Sequence, residues 1–100
     1  MAEQGPSFLA HMSGDAVAVA VRDVQPGKAV VGYLDETSSI EVEVLADIPL
    51  GHKVALIDTT SGSDVVEYGV RTAIATVNIV KGEYVHTHNV RSARWQNSVA

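Results

Sequence analysis

Four histidines are the side chains of this chain best suited to moving protons near neutral pH, because it contains no cysteine and an imidazole changes charge at about pH 6.5. His52 stands directly after the segment Asp47-Ile-Pro-Leu-Gly51. His86 and His88 occupy alternate positions of a predicted strand, so their rings are expected on one face, about 7 Å apart along the chain. Such a pair can share a metal ion, a ligand or a proton relay, and Asn89, next in line, adds an amide donor. Spacing alone also fits a plainer reading. A strand end facing water shows the same alternation, and a metal site needs a third protein ligand that His-x-His does not specify. His52 reads equally as a turn residue capping a carbonyl, and His11, just ahead of Ser13-Gly14-Asp15, is the weakest of the four on spacing.

Other catalytic patterns fare worse. Ser61-Gly-Ser63 lacks the strand-Ser-helix setting of a hydrolase nucleophile, and no glycine-rich phosphate loop with a lysine occurs. Glu41 and Glu43 belong to the alternation Ile40-Glu-Val-Glu-Val44 and are expected on a wet strand face. Arg91 and Arg94 form the only basic cluster; they suit an anionic group or a subunit contact, and Trp95 beside them suits packing on a partner. A net charge of -5 gives no electrostatic reason to bind nucleic acid. No apolar run approaches the roughly 20 residues of a membrane span, and residues 1–7 lack a basic signal start. The expected setting is the cytoplasm.

The elements that must position these residues read as short strands. A chain of 100 residues makes one domain that buries roughly 60–68% of its unfolded surface, enough for a modest core and not for a walled catalytic cavity. One phrase recurs: Asp23-Val-Gln-Pro-Gly27, Asp47-Ile-Pro-Leu-Gly51, Asp58-Thr-Thr-Ser-Gly62 and Asn78-Ile-Val-Lys-Gly82. Each has Asp or Asn first and Gly fifth and precedes a β-branched stretch, as a tight turn feeding a strand does. The spacings are uneven, so one turn type is used repeatedly and no solenoid is built. From Asp15, Val17, Val19 and Val21 alternate with small alanines, giving a strand packed on both sides. Further strands are predicted over 29–34, 39–44, 53–57, 65–68, 72–76 and 83–88. β-Branched residues and glycines interrupt every candidate helix. The expectation is a mainly β domain of short bent strands over 8–90, with a leader over 1–7 and a tail over 91–100.

Taken together, Asp47-Ile-Pro-Leu-Gly-His-Lys-Val-Ala-Leu56, Val66-Glu-Tyr-Gly69 and Asn78-Ile-Val-Lys-Gly-Glu-Tyr-Val-His-Thr-His-Asn89 resemble the small SAF-type domain of altronate and galactarate dehydratases. They are also similar to the alpha subunit of sulfolactate sulfo-lyase, and the tail Arg91-Ser-Ala-Arg-Trp95 is nearer that second relative. The resemblance implies a compact β-clip fold and a larger catalytic partner chain. It implies a lyase that abstracts a proton next to a carboxylate and expels a β-leaving group, giving a 2-keto acid from a small hydroxy acid. It implies that His52, His86 and His88 line the catalytic site, with His11, Asn89, Arg91 and Arg94 near the substrate. A divalent metal, iron among the candidates, would be held mainly by the large subunit, and homo-oligomers of the isolated chain are left open. The rival from another class is a non-catalytic β-clip module that binds a carbohydrate or an anion; a periplasmic chaperone-like clip is disfavoured by the missing export signal.

Overall fold

A turn that ends in the left-handed backbone region favours a residue without a Cβ. Gly27, Gly51, Gly62 and Gly82 close the recurring phrases with φ of 131°, 86°, 88° and 94° in the computed structural model, which describes residues 5–92. The turns work in pairs. The second residues of the first two phrases bridge each other, Val24 N donating to Ile48 O at 2.9 Å and Ile48 N to Val24 O at 2.8 Å. Thr59 and Ile79 of the other two phrases do the same, both at 2.8 Å. Phrase-opening side chains then cap the facing turn: Asp58 accepts from Lys81 N (2.8 Å), Asn78 from Ser61 N (2.9 Å) and Asp23 from Leu50 N (2.8 Å). The position that would complete the set for Asp47 is Pro26, which has no N–H to give.

Among the described residues nine strands result: β1 (Phe8–Ala10), β2 (Val17–Ala20), β3 (Gly27–Tyr33), β4 (Ile40–Val44), β5 (Lys53–Ala55), β6 (Asp64–Glu67), β7 (Val70–Ala75), β8 (Tyr84–Val85) and β9 (Val90–Ser92). No helix forms among the described residues, and so none long and apolar enough to cross a membrane. The expected mainly β domain of short strands is therefore the observed one. A six-stranded sheet runs β4-β3-β1-β2-β5-β8 and a three-stranded sheet runs β6-β7-β9. β1 lies antiparallel to β2 and parallel to β3. Three residues are too few to show a period, which is why neither β1 nor β9 is legible in the sequence; β9 carries regular pairing to Ser92, into the stretch expected as tail.

The architecture repeats itself. A turn, the β3–β4 hairpin and a second turn lead into β5; a turn, the β6–β7 hairpin and a second turn lead into β8. Gly51 N donates to Ala20 O of β2, and Gly82 N to Ala55 O of β5, each at 2.8 Å. The second unit is thus built on β5 as the first is built on β2. Its consequence is that the residues following Gly51 and Gly82 arrive on neighbouring strands at one end of the large sheet. At Gly82 the packing is so close that a Cβ would stand 2.0 Å from Glu43 O.

The core is aliphatic and split in two. Phe8, Val31, Val44, Ile48 and Val54 anchor one cluster; Val17, Ala55, Val65, Ile79 and Val85 anchor the other. Val42 and Val44 point inward while Glu41 and Glu43 are exposed, as period-two alternation requires.

Candidate functional site

His52 leaves the turn at Gly51 with its carbonyl accepting from Ala20 N (2.8 Å) and its amide donating to Pro49 O (3.0 Å). β5 and β8 are antiparallel with Lys53 opposite Val85 and Val54 opposite Tyr84, so one further step in register sets His52 across from His86. The rings follow: His52 and His86 lie 5.0 Å apart between centroids.

Tyr84 is the hub of the group. Its ring centroid lies 5.6 Å from that of His52, 5.7 Å from His86 in a stacked arrangement, and 5.5 Å from His88. Its hydroxyl is 2.5 Å from His52 Nδ1, a phenol–imidazole pair that can hold or pass one proton between oxygen and nitrogen.

The predicted strand over 83–88 needs correction. Only Tyr84 and Val85 are extended; the chain then turns, with Asn89 N and Val90 N both donating to His86 O at 3.0 Å. Asn89 causes the turn. Its Oδ1 accepts from His86 N (2.9 Å) and its Nδ2 donates to Tyr84 O (2.8 Å), a local side-chain substitute for strand pairing. Asn89 is 2% exposed. Expected as a substrate donor, it instead holds the loop that presents His86 and His88, both of which are exposed.

Between the two sheets opens a cleft of about 320 Å³ with Val17, Val65 and Val85 on its floor. His52, Lys53, Glu67, Thr72 and His86 are its polar wall. Lys53 Nζ and Glu67 Oε1 meet at 2.8 Å, and Thr72 Oγ1 donates to the same carboxylate oxygen at 3.0 Å. His88 and Tyr84 line a neighbouring hollow with Leu45 and Val80.

The remaining expected site residues are not brought to this cluster. His11 packs on Tyr68, centroids 4.8 Å apart, beside a separate hollow that shares Val17 and Glu67 with the cleft. Its loop is pinned by the buried Asp15, whose carboxylate accepts from His11 N (3.0 Å), Met12 N (3.3 Å) and Tyr68 N (2.8 Å). Burial first, then the charges of Asp15 and Asp35, push the nearby Tyr33 phenol above its ordinary value. Asp35 is held below the usual carboxylate range, first by the Thr37 hydroxyl and then by backbone N–H groups. Arg91 is exposed on β9, while the adjacent Val90 lines the cleft, so alternation turns the guanidinium away. Arg94, with Trp95, lies outside the described residues.

Sequence reasoning missed Tyr84, Lys53, Glu67 and Thr72. Tyr84 had a readable signal, since it opens the alternation Tyr84-x-His86-x-His88. Nothing local links Lys53 to Glu67, which only the packing of the two sheets, β2 against β6, brings together. Among the described residues no three His, Asp or Glu side chains are placed to hold a metal ion, so these residues do not make a complete metal site.

Comparison with known proteins identifies relatives over most of the chain. The chain is 37% identical over 90 residues to the (2R)-sulfolactate sulfo-lyase subunit alpha of Chromohalobacter salexigens, covering 88% of this chain and 96% of that one. It is 37% identical over 60 residues to the subunit of the same name from Paracoccus pantotrophus, covering 60% of this chain and 90% of the relative. Against the altronate dehydratase of Bacillus subtilis it is 34% identical over 86 residues, 86% of this chain but 16% of that protein. The family model described as altronate/galactarate dehydratase SAF domain matches residues 6–93. With matched residues that take in the paired turns, the β5–β8 register and the histidines around Tyr84, the chain belongs to the altronate/galactarate dehydratase SAF domain family.

Proposed function

We propose that this chain is the small subunit of a two-component hydroxy-acid lyase, a sugar-acid dehydratase or a sulfolactate sulfo-lyase, that requires a larger catalytic subunit. The observation that carries the reading is the gathering of His52, His86 and His88 around Tyr84 beside an apolar-floored cleft. The names of the relatives, a sulfo-lyase subunit alpha and altronate dehydratases, support both the reaction type and the need for a second chain.

In this reading a base takes the proton from the carbon next to the substrate carboxylate, and the electron pair moves into that carboxylate as an enediolate. Its collapse expels the β-substituent with the bonding pair, as water after protonation or as bisulfite, and the enol product tautomerises to a 2-keto acid. His86, facing the cleft, suits the role of base. The Tyr84–His52 pair suits delivery of a proton to the leaving group, because each partner can hold the proton that the other gives up. The larger subunit closes the cleft against water and stabilises the enediolate; a divalent metal, if the complete enzyme uses one, belongs on that subunit.

The test is 2-keto acid formation from sulfolactate, altronate and related acids, with this chain alone, the larger chain alone and both together. Turnover is expected only from the mixture. Turnover by this chain alone overturns the reading, as does a stable complex that turns over none of the acids; the latter result favours a module that binds a carbohydrate or an anion without reacting it.

A further inference from the structure

We infer that the cleft between the sheets is an anion site, in which Lys53 and the imidazoles of His52 and His86 receive a carboxylate or sulfonate group, with Glu67 as the internal counter-charge that Lys53 must share. The inference deepens the lyase reading, because it names the residues that would grip the acid.

The asymmetry of the Lys53–Glu67 pair is the starting point. The side chain of Glu67 is 14% exposed and that of Lys53 40%, so the carboxylate forms the inner end of the pair and the ammonium the outer end. Glu67 Oε1 is doubly engaged, by Lys53 Nζ at 2.8 Å and Thr72 Oγ1 at 3.0 Å. An ammonium carries three N–H donors and Glu67 takes one of them. Two donors remain on an ammonium that lines the cleft.

The rest of the wall reinforces this polarity. Glu67 is the one acid among the described residues lining the cleft, against Lys53, His52 and His86. That contrasts with the whole chain, which carries 12 acidic residues against 7 Lys and Arg and 4 His. Tyr84 occupies His52 Nδ1, which leaves Nε2 as the ring nitrogen for a ligand. The Thr87 hydroxyl also lines the cleft, and the Val17, Val65 and Val85 floor keeps the local dielectric low, which strengthens every charge contact above it. A pair that served only to tie β5 to β6 would need no such opening beside two imidazoles.

Glu67 competes with any incoming anion for the same ammonium, so the two members of the pair have opposite effects on binding. Lys53→Met should weaken binding by about fivefold or more, and Glu67→Gln, which keeps the hydrogen-bonding shape and removes the charge, should tighten it by up to about fivefold. Amide shifts in a nitrogen-15 spectrum of the full chain, titrated with sodium glycolate and separately with sodium methanesulfonate against sodium chloride, read this directly. Saturable shifts at residues 52, 53, 67, 72 and 86 are expected, weaker at high salt; the tighter of the two probes tells which acid group the cleft takes. Lys53→Arg keeps the charge and guards against a Lys53→Met variant that fails to fold. Unsaturated shifts with both probes, or equal affinity in wild type, Glu67→Gln and a charge-removing Lys53 variant, sinks the inference. If those failures accompany normal turnover with the larger subunit, the lyase reading stands without it. Saturable binding with no turnover of any acid instead sinks the lyase reading and leaves the anion site intact.

Discussion

Replacing Asn89 by Ala tests whether one buried amide holds the loop that presents His86 and His88. Asn89 is 2% exposed and makes two hydrogen bonds, from His86 N at 2.9 Å and to Tyr84 O at 2.8 Å. Each such bond contributes about 0.5–1.5 kcal/mol net, and a partner left without water loses more. Exposed His86 can rehydrate its amide, whereas the half-buried Tyr84 carbonyl does so less readily, so a loss of about 2–3 kcal/mol is expected. For a domain of this size that lowers Tm by roughly 10–20 °C. Urea unfolding followed by circular dichroism gives the free energy, and an unchanged slope would show that only stability moved. Asn89→Asp sharpens the test, since it keeps the acceptor toward His86 N but sets an oxygen against Tyr84 O. Protonation restores a donor, so the folded-state carboxyl is raised above its unfolded value of about 3.9. The variant's stability relative to wild type should therefore be highest below that pH and fall as pH rises through the folded-state value. A cost under about 0.5 kcal/mol for Asn89→Ala, with no pH trend in Asn89→Asp, would refute the loop-holding role.

Other outcomes follow from the same geometry. His86→Ala and His88→Ala, both at exposed positions, should cost under about 0.5 kcal/mol in unfolding yet lower turnover with the larger subunit by about a hundredfold or more for a residue in proton transfer; equal losses in both measurements would refute the assignment. Gly82→Ala drives a Cβ to 2.0 Å from Glu43 O at φ +94°, while Gly62→Ala at φ +88° meets nothing within 4 Å. Thermal melts should show the Gly62 variant losing about 1–2 kcal/mol from backbone strain and the Gly82 variant clearly more, and parity would argue against the close approach to β4. Tyr33 has its phenol raised above 10.0 by burial, Asp15 and Asp35. Its contribution to stability is present below that pH and lost as pH rises through the folded-state value, so Tyr33→Phe should flatten the alkaline fall in Tm; an unchanged alkaline limb would refute it.

What the sequence determined by itself is whatever a few neighbouring residues decide. The Asp/Asn-to-Gly phrases specify their turns because an Asx side chain caps nearby amides and glycine alone enters positive φ without strain. The alternation of valine with glutamate specifies a strand and its inward face, as Val42 and Val44 against Glu41 and Glu43 illustrate, whereas in β2 the alanines are the more deeply buried set and Val21 is exposed. The motif pair Gly-His-Lys-Val-Ala-Leu and Val-His-Thr-His-Asn carries the family resemblance in the sequence alone. Tertiary structure decided the rest. Which turns face each other depends on the bridges Val24–Ile48 and Thr59–Ile79, made across distances that no local preference encodes. The same pairing sets β8 on β5, and with it His86 opposite His52 and Tyr84 among three imidazoles. His-x-His suggested a strand, but a buried Asn89 outcompeted the ladder and folded the chain back. Lys53 and Glu67, 14 residues apart, become partners because strands of the two sheets meet along one cleft, a relation fixed by packing between the sheets and by nothing in the spacing of the residues themselves.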